Sequence, residues 1–261
     1  MDISLSGHRA LICGSTQGIG LATAIEMARL GASCTLLARS EEALQKALAS
    51  LDVSSGQRHG YLVADFTDLD AVKKVVGAFV KDNDVHILVN NTGGPPPGPI
   101  TDASTDDFAK AFSMHILAYQ VLTQAVLPSM KKSGYGRIIN IVSTSVRIPI
   151  ANLGVSNTIR AATAGWAKTM ANEAGPFGIT VNNILPGFTA TQRLEKLIHN
   201  IASSKGIPPE QVASEMRQEI PARRFGEASE IANLAAFLAG PSAAYINGTN
   251  IPVDGGRTGS F

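Results

Sequence analysis

The sequence predicts a single doubly wound α/β domain over residues 1–261, a Rossmann-type parallel sheet of seven strands. Three observations carry this. An apolar run, Ala10-Leu11-Ile12-Cys13, ends in a glycine-rich turn, and a helical pattern begins at once. Strand-like runs then alternate with helical patterns along the chain, with no linker and no internal repeat. Finally, glycine or polar residues stand at the strand ends Gly14, Arg39, Asp65, Asn91, Ser143 and Pro186. Ligands of such sheets sit beyond the carboxyl ends of the strands.

Composition narrows the function. A hydrophobic content of 44% suffices to cover both faces of a parallel sheet. A net charge of +1 with no Lys/Arg block argues against nucleic acid or an anionic membrane as the main partner. Cys13 and Cys34 lie in separate apolar runs, which fits buried thiols in a reducing compartment better than a disulfide or a metal site. The amino terminus lacks a basic stretch followed by an apolar one, and no apolar run is long enough to span a bilayer. A soluble cytoplasmic protein is expected.

The first turn reads Gly14-Ser15-Thr16-Gln17-Gly18-Ile19-Gly20, with glycines in a G-x-x-x-G-x-G pattern. Leu21, Ala24, Ile25 and Ala28 give the helix after it one apolar face, and Gly31 ends it. Strand, glycine turn and helix bring a diphosphate to backbone N–H groups at a helix N-terminus. The second strand, residues 34–38, leads into Arg39-Ser40 with no carboxylate before Glu41. Dinucleotide folds often hold the ribose hydroxyls with an acid here. A guanidinium and a hydroxyl suit a 2′-phosphate instead, so NADP is expected over NAD; the alternative for Arg39 is a solvated loop charge.

Residues 41–51 read as helix and 61–64 as a third strand ending at Asp65-Phe66. Thr67-Asp68-Leu69-Asp70 resembles a capping box before a helix reaching Val80. A fourth strand, 86–89, ends in Asn90-Asn91-Thr92-Gly93-Gly94, whose amides can tie strand ends and whose glycines leave room beside a cofactor ring. The segment Pro95-Pro96-Pro97-Gly98-Pro99 is a stiff extended loop. In the long helical pattern that follows, Phe108, Ala111, Phe112, Ile116 and Tyr119 share one side, and His115 lies among them. A fifth strand, 137–142, ends at Ser143-Thr144-Ser145, and a helix spans 155–173. The sixth strand, 179–184, ends at Pro186-Gly187.

Residues 190–225 are expected as a substrate-side lid. Leu194, Leu197, Ile198 and Ile201 form an apolar stripe, Lys205-Gly206-Ile207-Pro208-Pro209 breaks it, and helix resumes at 211–219. Arg217, Arg223 and Arg224 are either solvated or available to an acidic substrate or carrier. A helix at 231–238 and a seventh strand with its turn at 250–256 complete the chain.

Together, Gly14-x-x-x-Gly18-x-Gly20, Asn90-Asn91-Thr92-Gly93, Ser143 after a strand and Pro186-Gly187 resemble the classical short-chain dehydrogenase/reductase family. Gly136-Arg137-Ile138-Ile139-Asn140 and Ile220-Pro221-Ala222-Arg223-Arg224-Phe225-Gly226 look most like its 3-oxoacyl-carrier-protein reductase branch. The resemblance implies hydride transfer between a nicotinamide cofactor and a small-molecule carbonyl or alcohol, in a homotetramer or homodimer. It assigns the cofactor's phosphates to Gly14, Ser15, Thr16, Gly18, Ile19 and Gly20. Asp65 and Phe66 would meet the adenine, and Asn91 and Gly93 the ribose and nicotinamide. Pro186, Gly187 and Thr189 would line the carboxamide wall.

The same resemblance exposes departures. The family's catalytic Ser is matched by Ser143, but Ser156 stands where its Tyr is expected and Arg160 where its Lys is expected. His115 falls at the position of its relay Asn, and Thr92 replaces an Ala. Gly165, Trp166, Lys168 and Glu173 fix the register downstream. A serine hydroxyl is a far weaker acid than a phenol of pKa about 10, and arginine stays protonated. Histidine, with an unperturbed pKa of about 6.5, titrates near neutrality. The expectation is therefore that Ser143 and Ser156 orient the substrate oxygen, Arg160 anchors cofactor or substrate, and His115 feeds protons. The competing expectation is a catalytically weak NADP-binding or scaffold protein that keeps the fold.

Overall fold

The computed structural model describes residues 1–259. Its strands are β1 (Arg9–Cys13), β2 (Ser33–Ala38), β3 (Gly60–Val63), β4 (Ile87–Asn90), β5 (Gly136–Ile141), β6 (Ile179–Pro186) and β7 (Asn250–Val253). They form one parallel sheet in the order β3-β2-β1-β4-β5-β6-β7. The chain winds outward from β1 to β3, then returns to the other side of β1 at β4. In doubly wound sheets a crevice forms outside the strand ends at such a reversal, which here falls beyond Cys13 and Asn90.

The helices are α1 (Gly18–Arg29), α2 (Glu41–Leu48), α3 (Leu69–Phe79), α4 (Thr105–Phe112), α5 (Ala118–Ser133), α6 (Gly154–Ala174), α7 (Gln192–Lys205), α8 (Pro209–Gln218) and α9 (Ala228–Ala239). Strand side chains alternate between faces, so Ala10 and Ile12 enter one core layer while Leu11 and Cys13 enter the other. The first layer is closed by Met27 of α1, Leu44 of α2 and Leu238 of α9. Val76 of α3, Met130 of α5 and Ala171 of α6 close the second. Both cysteines are free and buried, and burial raises their pKa values, that of Cys34 to about 12.

Across this apolar sheet runs a ladder of asparagines. Asn90 Nδ2 donates to Asn140 Oδ1 at 2.8 Å, Asn140 Nδ2 to Asn183 Oδ1 at 2.8 Å, and Asn183 Nδ2 to Asn250 Oδ1 at 2.7 Å. The four residues are register partners on β4, β5, β6 and β7. A slip of one residue would break every rung, so the ladder pins the register of the carboxyl-terminal half of the sheet.

Four local expectations are revised. Asp68, rather than Thr67, caps α3 by accepting from the Ala71 amide at 2.9 Å, and with Ala71 at the third helical position no capping box forms. Helix α2 stops at Leu48, and α8 begins at Pro209 because proline suits the first helical turn. Phe112 is exposed. A π-helical turn at Ser113–Leu117 shifts the angular register and takes Phe112 off the stripe that buries Ile116 and Tyr119. Replacing Asn140 by alanine orphans the Asn90 amide and the Asn183 carbonyl. It should cost roughly 2–4 kcal/mol, measured by urea denaturation; a cost near zero would mean that the ladder does not carry register.

Candidate active site

The glycine turn is locked to the end of β4. Asn91 Nδ2 donates to the carbonyls of Cys13 at 3.3 Å and Gly14 at 3.2 Å. Gly14 has φ of 58°, and a Cβ there would lie 2.5 Å from the Asn91 carbonyl oxygen. A Cβ on Gly20 would collide with the Gly14 carbonyl. Two of the three glycines thus serve contact between protein segments, besides any approach to a ligand. Ser15 is fully buried, and its hydroxyl has no partner among the described residues. Thr16 is half-buried, and Ile19 packs on the core below α1. Gly18 faces Thr191, the N-cap of α7, whose methyl would lie 3.3 Å from an added Cβ.

Beyond β2 and β3 lies an exposed shelf. Arg39 is 4.0 Å from Asp65, with its side chain 81% exposed. The Asp65 carboxylate accepts from the Thr67 amide and hydroxyl at 2.9 Å each. Those bonds, the amide's first and with Arg39 the lesser contributor, outweigh desolvation and hold its pKa below the usual carboxylate range. Ser40 caps α2 through the Ala43 amide, and Phe66 packs on the core edge. On the other side, the Gly187 amide donates to Val253 and the buried Thr189 hydroxyl donates to the Gly187 carbonyl at 3.2 Å. Gly93 has open space where a Cβ would stand.

The π-helical turn carries His115 into a buried polar cluster. His115 is completely buried, with Nδ1 2.6 Å from the Thr92 hydroxyl oxygen. That oxygen is 3.2 Å from the equally buried Tyr119 hydroxyl. Arg160, 5% exposed, donates from Nη1 to the Ile141 carbonyl at 3.1 Å; burial lowers its pKa, and the nearby Tyr119 opposes that shift. Ser156, one turn earlier on the same face of α6, is also buried. Ser143 is half-buried and accepts from the Ser145 amide at 3.1 Å, which leaves its own proton free to donate. Arg160 lies close enough for its charge to bear on His115, with Ser156 on the same face of α6 and Ser143 on the loop that follows β5.

His115 departs from the ordinary imidazole that its unperturbed pKa suggests. Burial first, then the charges of Arg160 and Arg193, push the His115 pKa down to about 3. The imidazole is neutral at physiological pH and holds no cationic proton to give. Its Nε2 has no partner among the described residues.

Sequence reading passed over three participants. Tyr119 looked like one more apolar position on its helix, and Thr92 like a small change of size. Arg193, in the first turn of α7, lays its guanidinium against Gly94 and has no ion pair among the described residues. The residue is exposed, yet burial of the guanidinium and the nearby Arg160 charge lower its pKa. A signal existed: a cation in a helix's first turn opposes the dipole, and no acid stands three or four residues away. Arg217, Arg223 and Arg224 are instead engaged within the chain. They bond Glu210, the Gln218 carbonyl and Glu230, the last as a fork with contacts of 2.7 and 2.8 Å.

A parallel sheet with a glycine turn at its reversal point and polar groups at the strand ends defines a Rossmann-type dinucleotide-binding fold. The chain belongs to the short-chain dehydrogenase/reductase family. The family model for enoyl-(acyl carrier protein) reductase matches residues 14–258. Gluconate 5-dehydrogenase of Gluconobacter oxydans is 32% identical over 259 residues, covering 99% of this chain and 97% of the relative. The 3-oxoacyl-[acyl-carrier-protein] reductase of Haemophilus influenzae is 35% identical over 255 residues, covering 97% and 98%. The structure of L-sorbose reductase from Gluconobacter frateurii, complexed with NADPH and L-sorbose, superposes with a TM-score of 0.93 at 30% identity, covering both chains fully. No helix among the described residues is long and apolar enough to cross a membrane.

Burial of a neutral His115 has a pH consequence. Below pH 6.5 the unfolded chain takes up a proton that the folded imidazole refuses until about pH 3. Its contribution to stability is complete above that window and falls as pH drops through it. Urea denaturation should find the parent losing at most about 3 kcal/mol more than His115→Gln between pH 7 and 4.5. Parallel losses in the two proteins would refute the buried neutral imidazole.

Proposed function

We propose that this protein is an NADP-dependent oxidoreductase that interconverts a carbonyl and an alcohol, similar to 3-oxoacyl reductases, with a proton-donating centre of non-standard composition. The observation that carries the reading is the buried cluster of His115, Thr92, Tyr119 and Arg160 beside the glycine turn. The NADPH complex of the L-sorbose reductase supports the choice of cofactor.

The residues present fit that cofactor. The buried, unpartnered Ser15 hydroxyl and the turn residues Gly14, Thr16, Gly18, Ile19 and Gly20 suit a diphosphate. Arg39, in an exposed pair of 4.0 Å that is worth little, is free to engage a 2′-phosphate together with Ser40. Asp65 and Phe66 would meet the adenine. The open space at Gly93 suits the nicotinamide half beside Asn91, with Pro186, Gly187 and Thr189 as its wall. When bound, NADPH supplies the hydride.

The chain's own residues handle the oxygen. Ser143 donates its free hydroxyl proton toward the carbonyl, and Ser156, in the family's Tyr position, adds a second hydroxyl. His115, neutral and completely buried, would pass protons to the site through water rather than by direct contact with the substrate. Arg160, in the Lys position, contributes positive charge from beneath. Residues 190–225 act as the lid: Thr191 rests on Gly18 and Arg193 on Gly94, so the start of α7 spans both sides of the crevice. Kinship also carries the assembly reading, a homotetramer or homodimer, and a cytoplasmic setting.

A second reading, an NADP-binding scaffold with little turnover, draws on one observation. Arg160 spends a donor on the Ile141 carbonyl instead of holding it open to the crevice. Oxidation of NADPH and NADH against keto-esters, diketones, quinones and aldehydes separates the two. The expected outcome is turnover by the parent, faster with NADPH. Silence in the parent, with activity gained by Ser156→Tyr/Arg160→Lys, would favour the scaffold.

A further inference from the structure

The lid carries four arginines, Arg193, Arg217, Arg223 and Arg224, and one of them stands apart. Three are bonded within the chain, to Glu210, the Gln218 carbonyl and Glu230. Arg193 has neither a hydrogen bond nor an ion pair among the described residues. Its guanidinium nonetheless has a defined seat against Gly94, where an added Cβ would lie 2.8 Å from Cζ. Any side chain at position 94 would displace it. Two residues earlier, Thr191 rests on Gly18, the side where the cofactor's phosphates are placed, so Arg193 stands across the crevice from them. From Gly94 the chain runs on to Gly98, whose amide donates to the Asn152 carbonyl at 2.7 Å and whose carbonyl accepts from the Gly154 amide at 3.2 Å. Gly154 opens α6, two residues before Ser156. The strip from Gly93 to Gly98 thus leads from the nicotinamide side to the helix that carries Ser156 and Arg160, and Arg193 sits on it.

The charges on this side of the site share one sign. Arg160 and Arg193 both bear on His115, and no carboxylate offsets the Arg160 charge at Arg193. The positive end of α7 adds to them. Arg160 is buried and spends a donor on the Ile141 carbonyl, whereas Arg193 is an exposed residue with its donors unspent. A cleft lined by one sign of charge draws in the opposite sign. A free guanidinium fork matches a carboxylate through two parallel hydrogen bonds. We infer that Arg193 binds a carboxylate of the substrate, so that the carbonyl compound taken by this site is an oxo acid in preference to its neutral ester. The inference rests on the carbonyl-reducing function proposed above and assigns its substrate class. The carboxylate lies at Gly94 and the reacting carbonyl at Ser143 and Ser156, so Arg193 binds substrate and takes no part in moving the proton. Because Arg193 belongs to α7, the same contact ties the lid to the floor when substrate is present.

Oxidation of NADPH with 2-, 4- and 5-oxohexanoate, each beside its methyl ester, tests this. The parent should favour at least one acid over its ester in kcat/KM by about thirtyfold, the worth of one charge-assisted contact. Arg193→Gln should bring that ratio near one, Arg193→Lys should restore part of it, and Arg193→Glu should reverse it. A ratio of one in the parent, or an unchanged ratio in Arg193→Gln, would overturn the assignment. So would a loss of NADPH affinity in Arg193→Gln with the ratio intact, which would give Arg193 to a cofactor phosphate. A binding measurement separates the carboxylate site from the reaction. Calorimetry of hexanoate with the NADP⁺-loaded protein should find the parent binding about thirtyfold tighter than Arg193→Gln. Hexanoate held through Arg193 in a parent that reduces no carbonyl would overturn the functional reading and uphold the carboxylate site. Hexanoate bound equally by the two proteins, or by neither, would overturn the site itself.

Discussion

Three consecutive side chains at the carboxyl end of β4 hold the site together. Asn90 ties β4 to β5 and, through the asparagine ladder, to β6 and β7. Asn91 reaches the opposite way and holds the glycine turn by two carbonyls. Thr92 leaves the sheet and bonds His115 and Tyr119. The constraint is the topological reversal: β4 is the one strand beside both β1 and β5, so its end must satisfy polar groups on both flanks. Asparagine carries a donor and an acceptor on one short side chain, which is what a rung between two neighbours needs.

From that anchor the site divides by rigidity. The floor is the sheet with its two apolar layers and the cluster beneath it, where buried groups are costly to disturb. The roof is built from α7 and α8, which share a separate small core of Leu194, Ile198, Val212 and Met216, with Phe188 and Phe225 at its edge. It meets the floor through single side chains such as Thr191 on Gly18 and Arg193 on Gly94. Few shared contacts and a core of its own are the physical conditions under which an element can move as a unit.

The parallel sheet was legible because apolar runs of strand length alternate with helical periods, and tertiary packing followed that pattern. The phosphate turn was legible from its glycines, although Gly14 and Gly20 are needed for contact with Asn91 and the adjoining turn as much as for any ligand. The asparagine ladder was half visible. The Asn90-Asn91 pair suggested ties between strands, but only the register reveals Asn140 and Asn183 as the next rungs. What failed were expectations that depend on burial. His115 was assigned its ordinary pKa because desolvation cannot be read from a helical pattern, and Phe112 was placed inward because a π-helical turn leaves no mark in composition. Tyr119 was hidden for a related reason: an aromatic at a core-facing position counts as apolar, while its hydroxyl depends on what the neighbouring helix brings to it.

The central proposal is that this chain moves a hydride with Ser156 and Arg160 at the positions that the family resemblance gives to Tyr and Lys. The most direct measurement uses NADPH carrying deuterium on one face of the nicotinamide C4, incubated with the protein and a carbonyl compound. The account predicts deuterium in the alcohol product from one face and none from the other. Alcohol free of label from both faces, or no alcohol while NADPH stays bound, would contradict it.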